Sequence, residues 1–204
     1  MMVEQDSQTR NLSFDATQDM IAGCFTQLFS KGVDIRASLP CNLEELLCEQ
    51  VGIAPDYLEN RIQTVFLDGQ PVDDVKQAIV GNGSTIALSA AMPGLVGAVL
   101  RKGGTLAGLR KGITYRCETD GQEACYGSVT VKLFNMTTRE VGPLLLKYGI
   151  LMRGDELQDI MEEWIDVLRR RCNQVRLDDH VMSLDTLLTA TDPKDTIFLQ
   201  VGRD

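Results

Sequence analysis

Few residues in this sequence have the type and spacing to do chemistry. His180 is the only histidine, so a site that needs two imidazoles within one chain is excluded. A thiol nucleophile would need a base such as His180 within hydrogen-bond reach. The six cysteines are Cys24, Cys41, Cys48, Cys117, Cys125 and Cys172, and no two have CxxC spacing. Structural zinc usually draws on such tight pairs. Cys24, Cys48 and Cys172 fall at apolar-periodic positions, where cysteine acts as a small core residue. Cys117 and Cys125, eight apart, flank an expected hairpin turn. They are the thiols best placed to pair or to bind a metal.

The acidic clusters suggest turns before catalysis. Asp73-Asp74, Asp178-Asp179-His180 and Asp192-Pro193-Lys194-Asp195 have the composition of turns and helix caps. Glu162-Glu163 belongs to the solvated side of a charged helix. No Gly-x-Ser-x-Gly elbow, Walker loop or GxGxxG fingerprint is present. No catalytic residue, metal ligand or cofactor is assigned, and the balance leans away from an enzyme.

Charge is unevenly distributed. The 43 residues from Val75 to Cys117 contain no acid and six bases: Lys76, Arg101, Lys102, Arg110, Lys111 and Arg116. The whole chain carries −9, so without those six charges the remainder carries −15. A net negative chain with sparse aromatics disfavours nucleic acid. Within the basic stretch, Arg101, Lys102, Gly103, Gly104, Arg110 and Lys111 could hold an anion, with glycines letting backbone amides approach it. The competing expectation is a basic linker lying on an acidic surface.

These residues need elements to position them. Met20 to Phe29 fits a helix period, yet Cys24–Phe29 could also be a strand turning at Ser30-Lys31-Gly32. Val33, Ile35, Ala37 and Leu39 alternate with Asp34, Arg36 and Ser38, which marks a half-buried strand. A hairpin over 24–39 is favoured. Asn42 caps a helix with Glu45 as its capping-box partner. Residues 62–67 form a strand, 74–80 a short helical piece, and 84–91 a strand.

The segments Phe25-Thr-Gln-Leu-Phe, Val33-Asp-Ile-Arg-Ala, Asn42-Leu-Glu-Glu-Leu, Val65-Phe-Leu-Asp-Gly-Gln-Pro-Val and Asn82-Gly-Ser-Thr-Ile-Ala-Leu follow one another in an order that resembles the β-grasp fold of ubiquitin-like domains and small sulfur carriers. The resemblance covers about residues 22–92. It implies a fold and no particular function. Gly103-Gly104 is similar to the terminal Gly-Gly of those families, but 100 residues follow it here, so their carboxylate chemistry would require cleavage.

Beyond residue 92 the expected order is a glycine-rich basic connector over 93–112, then an α+β domain over 113–204. That domain has strands at 113–118 and 128–134. A helix striped by Val141, Leu144, Leu145 and Tyr148 follows. The clearest element is a helix with Leu157, Ile160, Met161, Trp164, Ile165, Leu168 and Cys172 in helical register. Acids lead that helix and Arg169-Arg170-Arg171 close it, which suits the helix dipole. A short helix near 184–188 and a strand over 196–201 complete the chain. No repeat stands out, and residues 1–14 are expected to be a mobile polar tail.

The fold class expected is therefore α+β, a β-grasp-like domain at 15–92 followed by a smaller domain of two helices on a short sheet. No secretory signal is seen, so reduced thiols and a cytoplasmic location are expected. Ile86–Leu100 is uncharged but, at 15 residues, too short to span a bilayer. Peripheral contact through Leu95, Val96, Val99 and Leu100 stays open. The favoured function is non-catalytic binding or assembly through residues 93–112, with a protein partner or a second copy. The first alternative is a protein, enzymatic or accessory, that binds an anionic small molecule at the basic segment. The second is a thiol or zinc site at Cys117 and Cys125.

Overall fold

Burial alternates residue by residue along Val33–Leu39, so the hydrophobic effect fixes that strand with one face inward. The computed structural model describes residues 9–92, 94–110, 112–115 and 125–202. The N-terminal half runs β1 (Thr9–Asp15), α1 (Gln18–Ile21), a 3-10 turn (Ala22–Phe25), α2 (Thr26–Lys31) and β2 (Val33–Leu39). It continues through β3 (Cys41–Asn42), a π-helical turn (Glu45–Gln50), α3 (Pro55–Asn60), β4 (Thr64–Leu67), β5 (Gln70–Pro71), β6 (Ile79–Val80) and β7 (Thr85–Ser89). The connector holds α4 (Gly94–Leu100) and a 3-10 turn (Ala107–Arg110). The C-terminal half has β8 (Cys125–Phe134), α5 (Thr137–Glu140), α6 (Gly142–Tyr148), β9 (Ile150–Arg153) and α7 (Gly154–Arg171). It ends with β10 (Gln174–Leu177), β11 (His180–Met182), α8 (Leu184–Ala190) and β12 (Thr196–Gly202).

Several expectations are corrected. Residues 18–31 are helical, so no hairpin joins Cys24–Phe29 to β2. Ile21, Cys24, Phe25, Leu28 and Phe29 are all buried, and only helical spacing puts all five on one side. Thr9–Asp15 is a strand, although it lies largely within the stretch expected to be mobile. Asp74–Gln77 is a turn and not a helix, with Asp74 Oδ1 accepting from Lys76 N at 2.9 Å. Ile113–Tyr115 is not a strand, and the rest of the strand expected at 113–118 lies outside the described residues. Asn42 does cap its helix: its Oδ1 accepts from Glu45 N at 2.9 Å. The long helix and the last strand form where expected.

Among the described residues, ten strands make one mixed sheet in the order β11-β10-β1-β12-β9-β2-β8-β7-β4-β5. Neighbours are antiparallel except β1–β12 and β7–β8, which are parallel. Outward from the β2–β9 junction, both halves show the same sequence of pairings: antiparallel, parallel, antiparallel, antiparallel. Each half contains a strand from the other end of the chain. β8 sits between β2 and β7, and β1 sits between β12 and β10. Strands from 9–92 and from 125–202 therefore share one sheet. The two halves are interlocked by strand exchange.

The chain also repeats itself, contrary to the sequence reading. With β3, β6 and α8 set aside, the order strand, helices, strand, helix, two short strands and a final strand occurs twice, as β1 to β7 and as β8 to β12. Val65-x-Leu67-Asp68 is echoed by Val175-x-Leu177-Asp178, and Thr85-Ile86-x-Leu88 by Thr196-Ile197-x-Leu199, although β7 and β12 hold different positions in their half-sheets. Gly32 and Gly149 end the equivalent helices α2 and α6 at φ +123° and +112°, which side-chain-bearing residues rarely adopt. A Cβ on Gly149 would also stand 2.4 Å from the Phe198 ring.

One hydrophobic core lines a single face of the sheet. Leu12, Val33, Val65, Leu88, Val131, Ile150 and Leu199 point into it. It is covered by the helices, including Phe25, Phe29, Leu47, Leu146, Leu157 and Met161. The other face of the sheet is largely open, as mixed and antiparallel sheets allow, although Thr64 and Ser89 on it are buried. No helix among the described residues is long and apolar enough to cross a membrane.

Candidate functional site

The basic connector is folded, and its fold explains its glycines and its charges. α4 follows β7 after a short turn that folds back on the helix so closely that a Cβ on Gly97 would stand 1.7 Å from the Met92 carbonyl oxygen. Only glycine permits that approach. The chain then turns along the sheet edge. Lys102 N donates to Gln63 O at 2.7 Å, and Tyr115 N donates to Pro71 O at 3.0 Å. The connector thus covers the short edge strand β5, a common protection against edge-to-edge pairing.

Arg110 holds this arrangement together. Its side chain is 1% exposed. The guanidinium forks onto Asp73: Nη2 donates to Oδ1 at 2.6 Å and Nη1 to Oδ2 at 3.1 Å. Nε donates to Val99 O at 2.8 Å. Nη1 also donates to Thr114 Oγ1 at 2.9 Å, and Nη2 to Arg101 O at 3.3 Å. A guanidinium has five N–H donors, and all five are used within the chain. Asp73 Oδ1 accepts a further bond from Gly103 N at 3.0 Å. One buried cation therefore ties β5's flank, the end of α4 and the following turn into a single unit.

The residues proposed as anion holders separate on this basis. Arg110 is buried with no donor left for a ligand. Gly103 gives its amide to Asp73. Lys102 is half-buried and donates Nζ to Leu58 O at 2.9 Å. Desolvation lowers its ammonium below the ordinary lysine range. Arg101 is exposed, Gly104 donates its amide to Arg101 O at 3.1 Å, and Lys111 lies outside the described residues. Beside Lys102 is an open cleft of about 360 Å³, lined by Lys76 and four carboxylates, those of Glu44, Glu59, Asp73 and Asp74. Four negative charges against two positive ones repel an anion.

Several of the segment's apolar side chains face solvent. Leu95 is 72% exposed, Val96 63%, Leu109 74% and Ile113 58%. They are carried by a segment whose Arg110, Lys102 and Gly103 donors are bound within the chain, while its Val99, Leu100 and Leu106 are half-buried.

The remaining candidates occupy ordinary structural positions. Asp178 Oδ1 accepts from Asn11 N at 2.9 Å and pairs with Arg10, while His180 Nδ1 lies 2.8 Å from Asp178 O. Asp192 and Asp195 cap a turn through Lys194 N and Asp192 N. Glu162 and Glu163 are exposed on α7. Burial pushes the Cys24 and Cys48 thiols up, and Cys41 and Cys172 up to about 11. That is the opposite of what activates a thiol. Cys125 is exposed, and Cys117 lies outside the described residues. Among the described residues, no three His, Cys, Asp or Glu side chains converge as a metal site.

Sequence reasoning missed Asp73, which it read as a solvated turn acid. It also missed Phe66 and Phe134 on the open face of the sheet. The available signal was unbroken apolar runs, Val65-Phe66-Leu67 and Leu133-Phe134, in strands where alternation would have placed polar residues. Comparison with family models, curated proteins and solved structures finds no match to this chain.

Proposed function

We propose that this chain is a non-catalytic assembly protein that associates through the outward face of residues 94–113, with a second copy of itself as the partner. One observation carries the reading: a segment pinned internally by Arg110 and Asp73 presents Leu95, Val96, Leu109 and Ile113 to solvent. A disordered tether would lose conformational entropy on binding, whereas a folded ridge has already lost it. Clustered exposed apolar residues on an ordered surface mark contact sites.

We also read each half-sheet as β-grasp in type. The support is the pattern of one parallel central pair flanked by antiparallel strands, with a helical segment after β2 and after β9. In this reading the strand first sought at residues 22–29 is supplied by β8.

Sedimentation of the full chain over a wide concentration range tests the assembly role. The wild type should rise from the mass of one chain to that of two, and Leu95→Asp with Leu109→Asp should hold it at one. A wild type that stays a single chain at several hundred micromolar would overturn the proposal. The anion alternative finds less support, because Arg110 is fully engaged and the neighbouring cleft is acidic.

A further inference from the structure

The two half-sheets carry grooves at matching sheet positions on the open face, with β7 in the place of β1 and β8 in the place of β12, and they differ in chemistry. Hydrogen bonds fix the equivalence. Asp68 Oδ1 accepts from Thr85 N at 2.7 Å, and Asp68 N donates to Thr85 O at 2.8 Å. Asp178 does the same with Asn11, at 2.9 and 2.8 Å. From this match, strand register equates Phe66 with Arg176 and Ala87 with Ser13. It also equates Ser89 with Asp15 and Phe134 with Gly202. The first groove, about 270 Å³, is lined by Phe66, Ala87, Met92 and Phe134. Its twin, about 300 Å³, is lined by Ser13, Asp15, Lys147, Arg176 and Gly202.

The twin acts as an internal control. The same backbone geometry exists with a polar lining, so folding does not require the first groove to be apolar. Phe66 and Phe134 keep aromatic surface at the solvent side against the hydrophobic effect, which a binding role accounts for.

Resting on the assembly role proposed above, we infer that this apolar groove receives the α4 ridge of a second copy, in a reciprocal twofold pair. Ridge and groove are neighbours on one surface. Met92 lines the groove, and its backbone packs directly on Gly97 of α4. A surface bearing a projection beside a matching recess is self-complementary under a twofold axis. Leu95, Val96, Leu109, Ile113 and Phe134 are all exposed and, with the groove walls, supply the apolar part of such an interface, whose standard size is ~800 Å² per partner. Charge points the same way. Each copy carries −9, and because Leu95, Val96, Leu109, Phe66 and Phe134 are uncharged, a contact made through ridge and groove sets no like charges directly against each other.

A charge-exchange experiment tests this inference with the full chain. Leu95→Asp places a carboxylate on the ridge. Phe66→Arg places in the groove the residue type its twin already holds. Each variant alone should stay a single chain at concentrations where the wild type is paired, with association weakened at least tenfold. Mixed in equal amounts they should pair again. One ridge–groove contact is then unaltered, and in the other the introduced carboxylate faces the introduced guanidinium. Circular dichroism confirms folding, and Phe134→Gln replaces Phe66→Arg if that variant unfolds. If Leu95→Asp separates the chains while both groove variants pair normally, the groove inference is overturned and the assembly role stands. Failure of the mixture to pair also overturns the inference. A wild type that never pairs overturns both.

Discussion

Arg110 and Asp73, thirty-seven residues apart in the chain, form a two-pronged ion pair with one member buried and the other at the surface. The asymmetry predicts unequal costs of removing either side. Asp73→Ala leaves a buried guanidinium without its counter-charge and should destabilise by about 3–5 kcal/mol. Arg110→Met leaves a carboxylate that water can reach, and fills the vacated space with apolar atoms. It should cost nearer 1–3 kcal/mol. Urea unfolding of both variants checks the order, and equal losses would contradict the description of the pair.

Strand exchange predicts that neither half folds alone. A fragment of residues 15–92 lacks β8, so β2 and β7 would lose the strand that joins them. It should show no cooperative unfolding transition, and neither should 1–92, whereas mixing 1–92, which carries β1, with 93–204 should restore one. An independently folded 15–92 fragment would contradict the interlocked sheet.

Thiol labelling tests the burial pattern. In a Cys117→Ser background, the exposed Cys125 should react first with a disulfide reagent. Cys41 and Cys172, pushed up to about 11 by burial, hold only about one part in a thousand thiolate at pH 8. They should react orders of magnitude later, at the rate of opening. Prompt reaction of all five would contradict the core as described.

Acid sensitivity should be felt at Glu140. The Tyr57 hydroxyl, at 2.5 Å, and Arg61, at 3.1 Å, donate to its carboxylate and hold it below the ordinary range. A depressed folded value contributes stability above the unfolded value of about 4.3, and that stability is lost as pH falls through the folded value. Glu140→Gln should therefore flatten the acid limb of the stability curve while lowering stability near neutrality. Parallel curves for the two proteins would contradict this role.

The sequence disclosed local elements better than their partners. Val33–Leu39 and the stripe on α7 were legible because their periodicity depends on adjacent residues alone. Residues 18–31 were misassigned because Cys24-Phe25 and Leu28-Phe29 suit either period in a short window. β1 was missed because Thr9–Asp15 has few large apolar residues, and its strand character comes from lying between β10 and β12. The likeness of the half-sheets escaped notice because residues at matching sheet positions, Phe66 and Arg176 or Phe134 and Gly202, differ in chemistry, and the matched strands do not follow one chain order. At the connector, charge and glycine content drew attention to the segment, but the bond from Arg110 to Asp73 was not legible, since a base that looked available is consumed by a distant acid.

Hydrogen exchange over residues 94–110, followed in dilute and in concentrated solution, bears most directly on the connector as a folded contact surface. In dilute solution the amides of Lys102 and Gly103, bonded to Gln63 and Asp73, should exchange well below the rate of an open chain. At high concentration protection should spread across α4. Exchange at the open-chain rate throughout the segment, at every concentration, would make it a solvated tether and contradict the account.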